Sequence, residues 1–244
     1  MSCKFMVLLG NFGSGKSELA LNFALNRKND EKIAVVDLDL INPYFRISDR
    51  KELLSAGKIK LISPLFANKN VEIMTLPPDI FSVFNGFYDL VIFDVGGDAG
   101  GAVALGQYYH YFEQLPPDSL EVYLVVNPRR PLSDSVGRII ALLEQIELSS
   151  RLKITALINN GNLSTETTAA DLLFAYPLLK EVSQQTGIPV AFTSGSPSTL
   201  QAFLQDARES LSPQYIGQPL YLTAKMYRDW QSYIQNDLPN QRAK

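Results

Sequence analysis

The sequence predicts a three-layer α/β fold, a mostly parallel sheet with helices on both faces. Short β-rich apolar runs alternate with longer stretches of helical period, the pattern of a parallel sheet covered on both sides. Several runs end in Gly, Asp, Asn or Ser, and open sheets of this kind bind ligands beyond the carboxyl ends of their strands. Of 244 residues, 46% are hydrophobic and 19% charged, a composition that favours a packed core over disorder. One domain spanning 1–244 is the expectation for this length.

The predicted strands are 4–10 (KFMVLLG), 32–39 (KIAVVDLD), 89–95 (DLVIFDV), 121–127 (EVYLVVN), 153–159 (KITALIN) and 189–194 (PVAFTS). Between them, Leu19 and Phe23 lie four apart, and Val136, Ile139, Ile140, Leu143 and Ile146 follow helical spacing. Leu222, Met226, Trp230 and Tyr233 do so again, predicting a final helix over 219–235 that packs on the domain. The run KIKLISPLF (58–66) reads as a hairpin or an extra edge element, and NQRAK (240–244) as a frayed end.

Charge and rare residues exclude several function classes. A net charge of -3 offers no basic field for a phosphate backbone, so no nucleic-acid partner is expected. One cysteine, Cys3, and one histidine, His110, supply neither a disulfide nor a thiolate or imidazole metal cluster. The apolar run MSCKFMVLL is too short to span a bilayer, so no membrane association is expected and a cytoplasmic location fits.

GNFGSGKS (10–17) matches the phosphate-loop pattern G-x-x-x-x-G-K-[ST], between an apolar run and the helical stretch ELALNFAL. Gly10, Gly13 and Gly15 let the backbone fold around phosphate oxygens, with the N–H groups of residues 13–17 pointing inward and the helix dipole behind them. Lys16 is expected at the β and γ phosphates and the Ser17 hydroxyl on Mg2+. Candidate nucleotide-binding positions are therefore Gly10, Asn11, Gly13, Ser14, Gly15, Lys16, Ser17 and Glu18.

Carboxylates close two neighbouring strands. Asp94 ends DLVIFDV and reads as a magnesium-side acid, and the D-x-x-G spacing to Gly97 suits a glycine N–H meeting the γ-phosphate. Asp98 reads as a helix cap. Asp37 and Asp39 share a strand face; the sensible division gives Asp37 to the magnesium water shell and Asp39 to orienting an attacking water. For the base, an N-K-x-D carboxylate that would select guanine is missing from LINNGN. Adenine is favoured, with Asn159 or Asn160 at the base edge or in a turn, and TSGSP (193–197) as the other wall.

Through GNFGSGKS, VVDLDL and VIFDVGG the chain resembles the MinD/ParA-like group of P-loop ATPases, which also holds the nitrogenase iron protein and the cobyrinic and dethiobiotin ligases. The resemblance implies a P-loop NTPase fold, ATP and Mg2+ as ligands, and ATP hydrolysis. It gives phosphate and metal roles to Lys16 and Ser17, the magnesium environment to Asp37 and Asp94, and the hydrolytic switch to Asp39. A single Cys sets aside the iron-protein branch. The family's signature lysine, which crosses an ATP-sandwiched homodimer, is here Asn11. Asn has no charge for the transition state, so Arg46, Arg129 and Arg130 are the candidate substitutes. Two functions compete: an ATPase switch acting on a protein partner, as a monomer or a homodimer, and an ATP-dependent ligase or kinase of the dethiobiotin synthetase or cobyrinic acid synthase type acting on a small-molecule substrate.

Overall fold

Runs such as IAVVDL and LVIFDV are apolar at nearly every position, and only a strand covered on both faces buries all of it. The computed structural model realises this; it describes residues 3–27, 30–39, 47–63, 65–66, 74–75, 78–97, 99–207 and 210–226. In chain order the elements are β1 (Lys4–Leu9), α1 (Lys16–Leu25), β2 (Ile33–Leu38), α2 (Lys51–Ala56), β3 (Lys60–Ile62), β4 (Leu65–Phe66), β5 (Met74–Thr75) and β6 (Leu90–Val95). Then come α3 (Ala99–Gly106), α4 (Tyr109–Glu113), β7 (Leu120–Val126), α5 (Val136–Ser150), β8 (Ala156–Asn159), α6 (Ala169–Thr186), β9 (Val190–Gly195), α7 (Pro197–Ala207) and β10 (Gln218–Tyr221).

Eight strands form one sheet in the order β10-β9-β8-β7-β1-β6-β2-β3, and every pairing in it is parallel. Side chains alternate across it. Phe5, Val7 and Leu9 enter a core closed by Leu105 of α3 and Ile139 and Leu143 of α5. Met6 and Leu8 enter another, closed by Leu19 and Phe23 of α1 and Leu54 of α2. Helices therefore cover both faces, as the periodicity predicts.

Three stretches refine the expectation. The run 58–66 divides: β3 is the extra edge element, beside β2 in the main sheet, while β4 pairs antiparallel with β5 in a separate ribbon. In 153–159 only β8 is strand; Thr155 occupies the preceding ladder position with its hydroxyl, which accepts from Val122 N (2.9 Å) and donates to Val122 O (3.1 Å). The third is a correction. Residues 219–221 of the predicted final helix belong instead to β10, pairing with β9 at the sheet edge, where Pro219 is tolerated because an edge needs fewer donors. Leu222 and Met226 are buried against the α1 face, as a core stripe should be, yet no helix carries them. Trp230, Tyr233, residues 240–244, Arg46 and Asp98 lie outside the described residues.

Candidate functional site

The phosphate loop sits where the central strand β1 gives way to α1. Gly15 caps that helix with φ 94°, a left-handed backbone that glycine adopts without strain. A Cβ there would lie 2.2 Å from Asn160 Nδ2. Asn160 occupies that space to brace the loop: its amide donates to Ser14 O (2.6 Å) and accepts from Ser194 Oγ (2.6 Å). The buried Lys16 ammonium donates to Gly10 O (3.1 Å) and Asn11 O (2.9 Å), folded back along the loop it would serve. The Ser14 hydroxyl is fully buried with no hydrogen-bond partner among the described residues. Such a group is costly unless a ligand satisfies it.

Strand register brings the acids to the loop. Asp94 on β6 is level with Leu8 on β1 and with Asp37 on β2. Both Asp94 oxygens are buried and lack a well-formed hydrogen bond among the described residues. Burial, and then the charge of Asp37, hold its carboxyl well above the usual range, while the Ser17 hydroxyl and the Lys16 charge pull the other way. Burial likewise pushes Asp37 up to about 6, although the Asp39 N–H bonds its carboxylate at 3.1 Å. Lys16 offsets the two raised acids only in part, and a divalent cation would supply the rest. Among the described residues no three His, Cys, Asp or Glu side chains form a metal cage. Magnesium suits this, because it is held by one or two protein oxygens and completes its shell with phosphate and water. Asp39 and Gly97 line the same cavity. Gly97 is wedged against the loop, since a Cβ would lie 2.5 Å from Phe12 N and 2.9 Å from the Asn11 carbonyl carbon.

Asn11 is turned inward. Its Oδ1 accepts from Phe12 N (2.7 Å) and its amide donates to Pro131 O in the turn after β7. That turn is braced by Asn127, which donates to Asn162 O (2.9 Å), and by Ser133, which donates to Asn127 O (2.7 Å). Its two arginines part ways. Arg130 Nε donates to Gly13 O (3.2 Å) and lines the cavity. Arg129 pairs with Asp171 (2.8 Å) and stacks on Phe174. Burial alone would raise the Asp171 carboxyl, but bonds from Thr168 and Arg129 bring it below its usual range.

The cavity, about 540 Å3, continues past the phosphate loop. Ser196 and Thr199 of the predicted 193–197 region and its neighbour α7 form one wall, with Asn160 and Asn162 beside them. Asn159 takes no part in the lining: it accepts from Gly161 N (3.1 Å) and donates to Leu172 O (3.4 Å). The opposite wall, Leu222, Ala224 and Met226, is absent from the sequence-based set. Glu18 holds it, its carboxylate accepting from Lys225 N (2.6 Å) and Met226 N (2.8 Å). Asn22 adds bonds to Thr223 N (2.8 Å) and O (3.1 Å). Asn22 was the available signal, a polar residue in the apolar stretch ALNFAL that requires partners once buried.

Sheet, loop and strand-end acids together have the architecture of a P-loop NTPase. No protein-family model matches the chain, and no curated protein matches it. Among solved structures it is similar to the cell division protein FtsY of Thermotoga maritima (TM-score 0.52, 15% identity, covering 81% of this chain and 63% of that one). It is also similar to chloroplast FtsY of Physcomitrella patens (0.52, 16%, 84% and 65%) and FtsY of Mycoplasma mycoides (0.50, 15%, 81% and 61%). The chain thus spans less than two thirds of the length of these structures. At such identity the likeness is one of fold, common to P-loop NTPases and not particular to the MinD/ParA group. No described helix is long and apolar enough to cross a membrane.

Proposed function

We propose that the chain binds a magnesium nucleoside triphosphate, hydrolyses it, and acts as a nucleotide-dependent switch. The observation that carries this reading is a pair of buried, unsatisfied groups: the Ser14 hydroxyl, a donor for a phosphate oxygen on a loop lining a cavity of about 540 Å3, and the Asp94 carboxylate at the end of the neighbouring β6, an acceptor that a cation would satisfy. Lys16 exchanges its Gly10 and Asn11 carbonyl partners for the β and γ phosphates. Ser17 and Asp94 would hold magnesium, with Asp37 in its water shell, and the bound ion would supply positive charge against the transferring phosphate. Asp39 orients the attacking water, and Gly97 reports the γ-phosphate because it touches the loop backbone directly.

ATP is the favoured nucleotide. Guanine recognition uses a carboxylate facing its two edge N–H groups. Of the carboxylates that line the cavity, Asp39 belongs to the phosphate end and Glu18 is taken up by Lys225 and Met226. Competition between ATP and GTP for a fluorescent nucleotide, with and without Mg2+, tests the ligand: equal or better competition by GTP rejects the adenine assignment. Phosphate release that depends strictly on a small co-substrate rejects the switch in favour of a ligase or kinase.

A further inference from the structure

We infer that Arg130 supplies, from the same chain, the cation that Asn11 lacks, and that it accelerates hydrolysis without a second copy; the inference rests on the nucleotide reading above. Three observations converge. The Arg130 guanidinium rests on the tip of the phosphate loop through its bond to Gly13 O, and a Cβ on Gly13 would stand 3.2 Å from Arg130 Nε. Asn11 spends its amide on Pro131, the residue after Arg130, so this position holds the arginine's own turn against the loop. Leu132, next along, has φ 68°, a left-handed backbone that a leucine keeps only when its surroundings impose it.

The two neighbouring arginines are not equivalent. Arg129 is committed to Asp171 and Phe174, whereas Arg130 lines the cavity. A guanidinium carries five N–H donors, and the Gly13 bond uses one of them. During hydrolysis the water oxygen bonds to the γ-phosphorus, and the bond from that phosphorus to the β–γ bridging oxygen breaks. The electron pair leaves with the diphosphate and the water's proton ends on the released phosphate. Negative charge grows on the bridging and γ oxygens, and a guanidinium beside them stabilises it.

The experiment measures binding of fluorescent ATP and GTP, and phosphate release, for wild type, Arg130→Ala, Arg130→Lys and Arg129→Ala. Arg130→Ala should lower kcat by roughly 10²- to 10³-fold while nucleotide Kd changes by less than about threefold. Arg130→Lys should recover part of the rate, Arg129→Ala should match wild type, and the wild-type specific rate should be flat against protein concentration. The proposal is overturned by a wild-type rate in Arg130→Ala, by kcat and Kd failing together as a purely structural staple would make them, or by a specific rate that climbs with concentration. Wild type that binds but never hydrolyses also overturns it and leaves nucleotide binding standing. Wild type that binds neither nucleotide removes the nucleotide reading itself.

Discussion

The two ends of the cavity are built by opposite strategies. At the phosphate end one contiguous stretch, residues 10–17, supplies the cradle, and strand register adds Asp37 and Asp94. At the base end no stretch suffices: Asn160, Ser196, Thr199 and the 222–226 segment meet only because β8, β9 and β10 lie side by side. The first end is a local motif with a chemical purpose, and the second is a product of topology. Substitutions should therefore separate them, one class acting on any triphosphate and the other only on ligands that carry a base.

The largest effect belongs to Lys16→Ala. If Lys16 meets the phosphates as proposed, losing this buried cation should cost about 2–5 kcal/mol, a roughly 30-fold or greater fall in affinity for ATP and for inorganic tripolyphosphate alike. Calorimetry showing a fall for ATP alone would erase the distinction between the ends. Gly97→Ala follows, because its Cβ must displace the Phe12 backbone. It should weaken both ligands by on the order of tenfold, as a few kcal/mol of overpacking is shared between loop and strand.

A pH experiment sharpens the phosphate end further. The folded-state pKa of Asp37 is raised from 3.8 to about 6, and that of Asp94 is raised by burial and by Asp37. At these two groups the folded protein holds more protons than the unfolded chain between 3.8 and about 6, so their contribution to stability without ligand falls as pH rises through that window. The change should be on the order of 1–3 kcal/mol. Magnesium nucleotide should flatten the profile, and Asp94→Asn should raise the melting temperature of the ligand-free protein near neutral pH. A melting temperature that instead climbs from pH 4 to 6 contradicts the raised pair.

Glu18→Ala probes the base end. It removes two bonds to a charged acceptor, each worth about 1.5–3 kcal/mol when intact and less once water replaces it. ATP affinity should drop by about tenfold while tripolyphosphate binding is unchanged; equal losses would place Glu18 at the phosphates. The smallest effect is that of Arg129→Ala, a half-exposed ion pair worth about 0.5–1 kcal/mol after solvent screening. A drop of a few degrees in melting temperature, with ATP binding unaltered, is the expected result.

Legibility in the sequence follows the same division. Strands β1, β2, β6, β7 and β9 could be read from their apolar runs because a doubly covered strand records burial in every residue. The loop was readable because phosphate chemistry demands glycines, a lysine and a hydroxyl at fixed spacing. β10 was not, since an exposed edge strand with a proline carries no such record, and Leu222 and Met226 at a spacing of four imitate a helix. Glu18, placed among the nucleotide contacts, does line the cavity, but the sequence did not reveal its bonds to Lys225 and Met226, 207 and 208 positions away.

Asn11 shows where the boundary falls. Sequence alone determined the layered sheet, the phosphate loop, the acids at the strand ends and an uncharged residue at position 11, because each is set by local period or by adjacent residues. Only the tertiary structure decided that the Asn11 amide holds Pro131, 120 positions away, that Arg130 lies over Gly13, and that the 222–226 segment closes the base end. Those contacts depend on which strands are neighbours, and neighbour choice comes from packing the whole core at once.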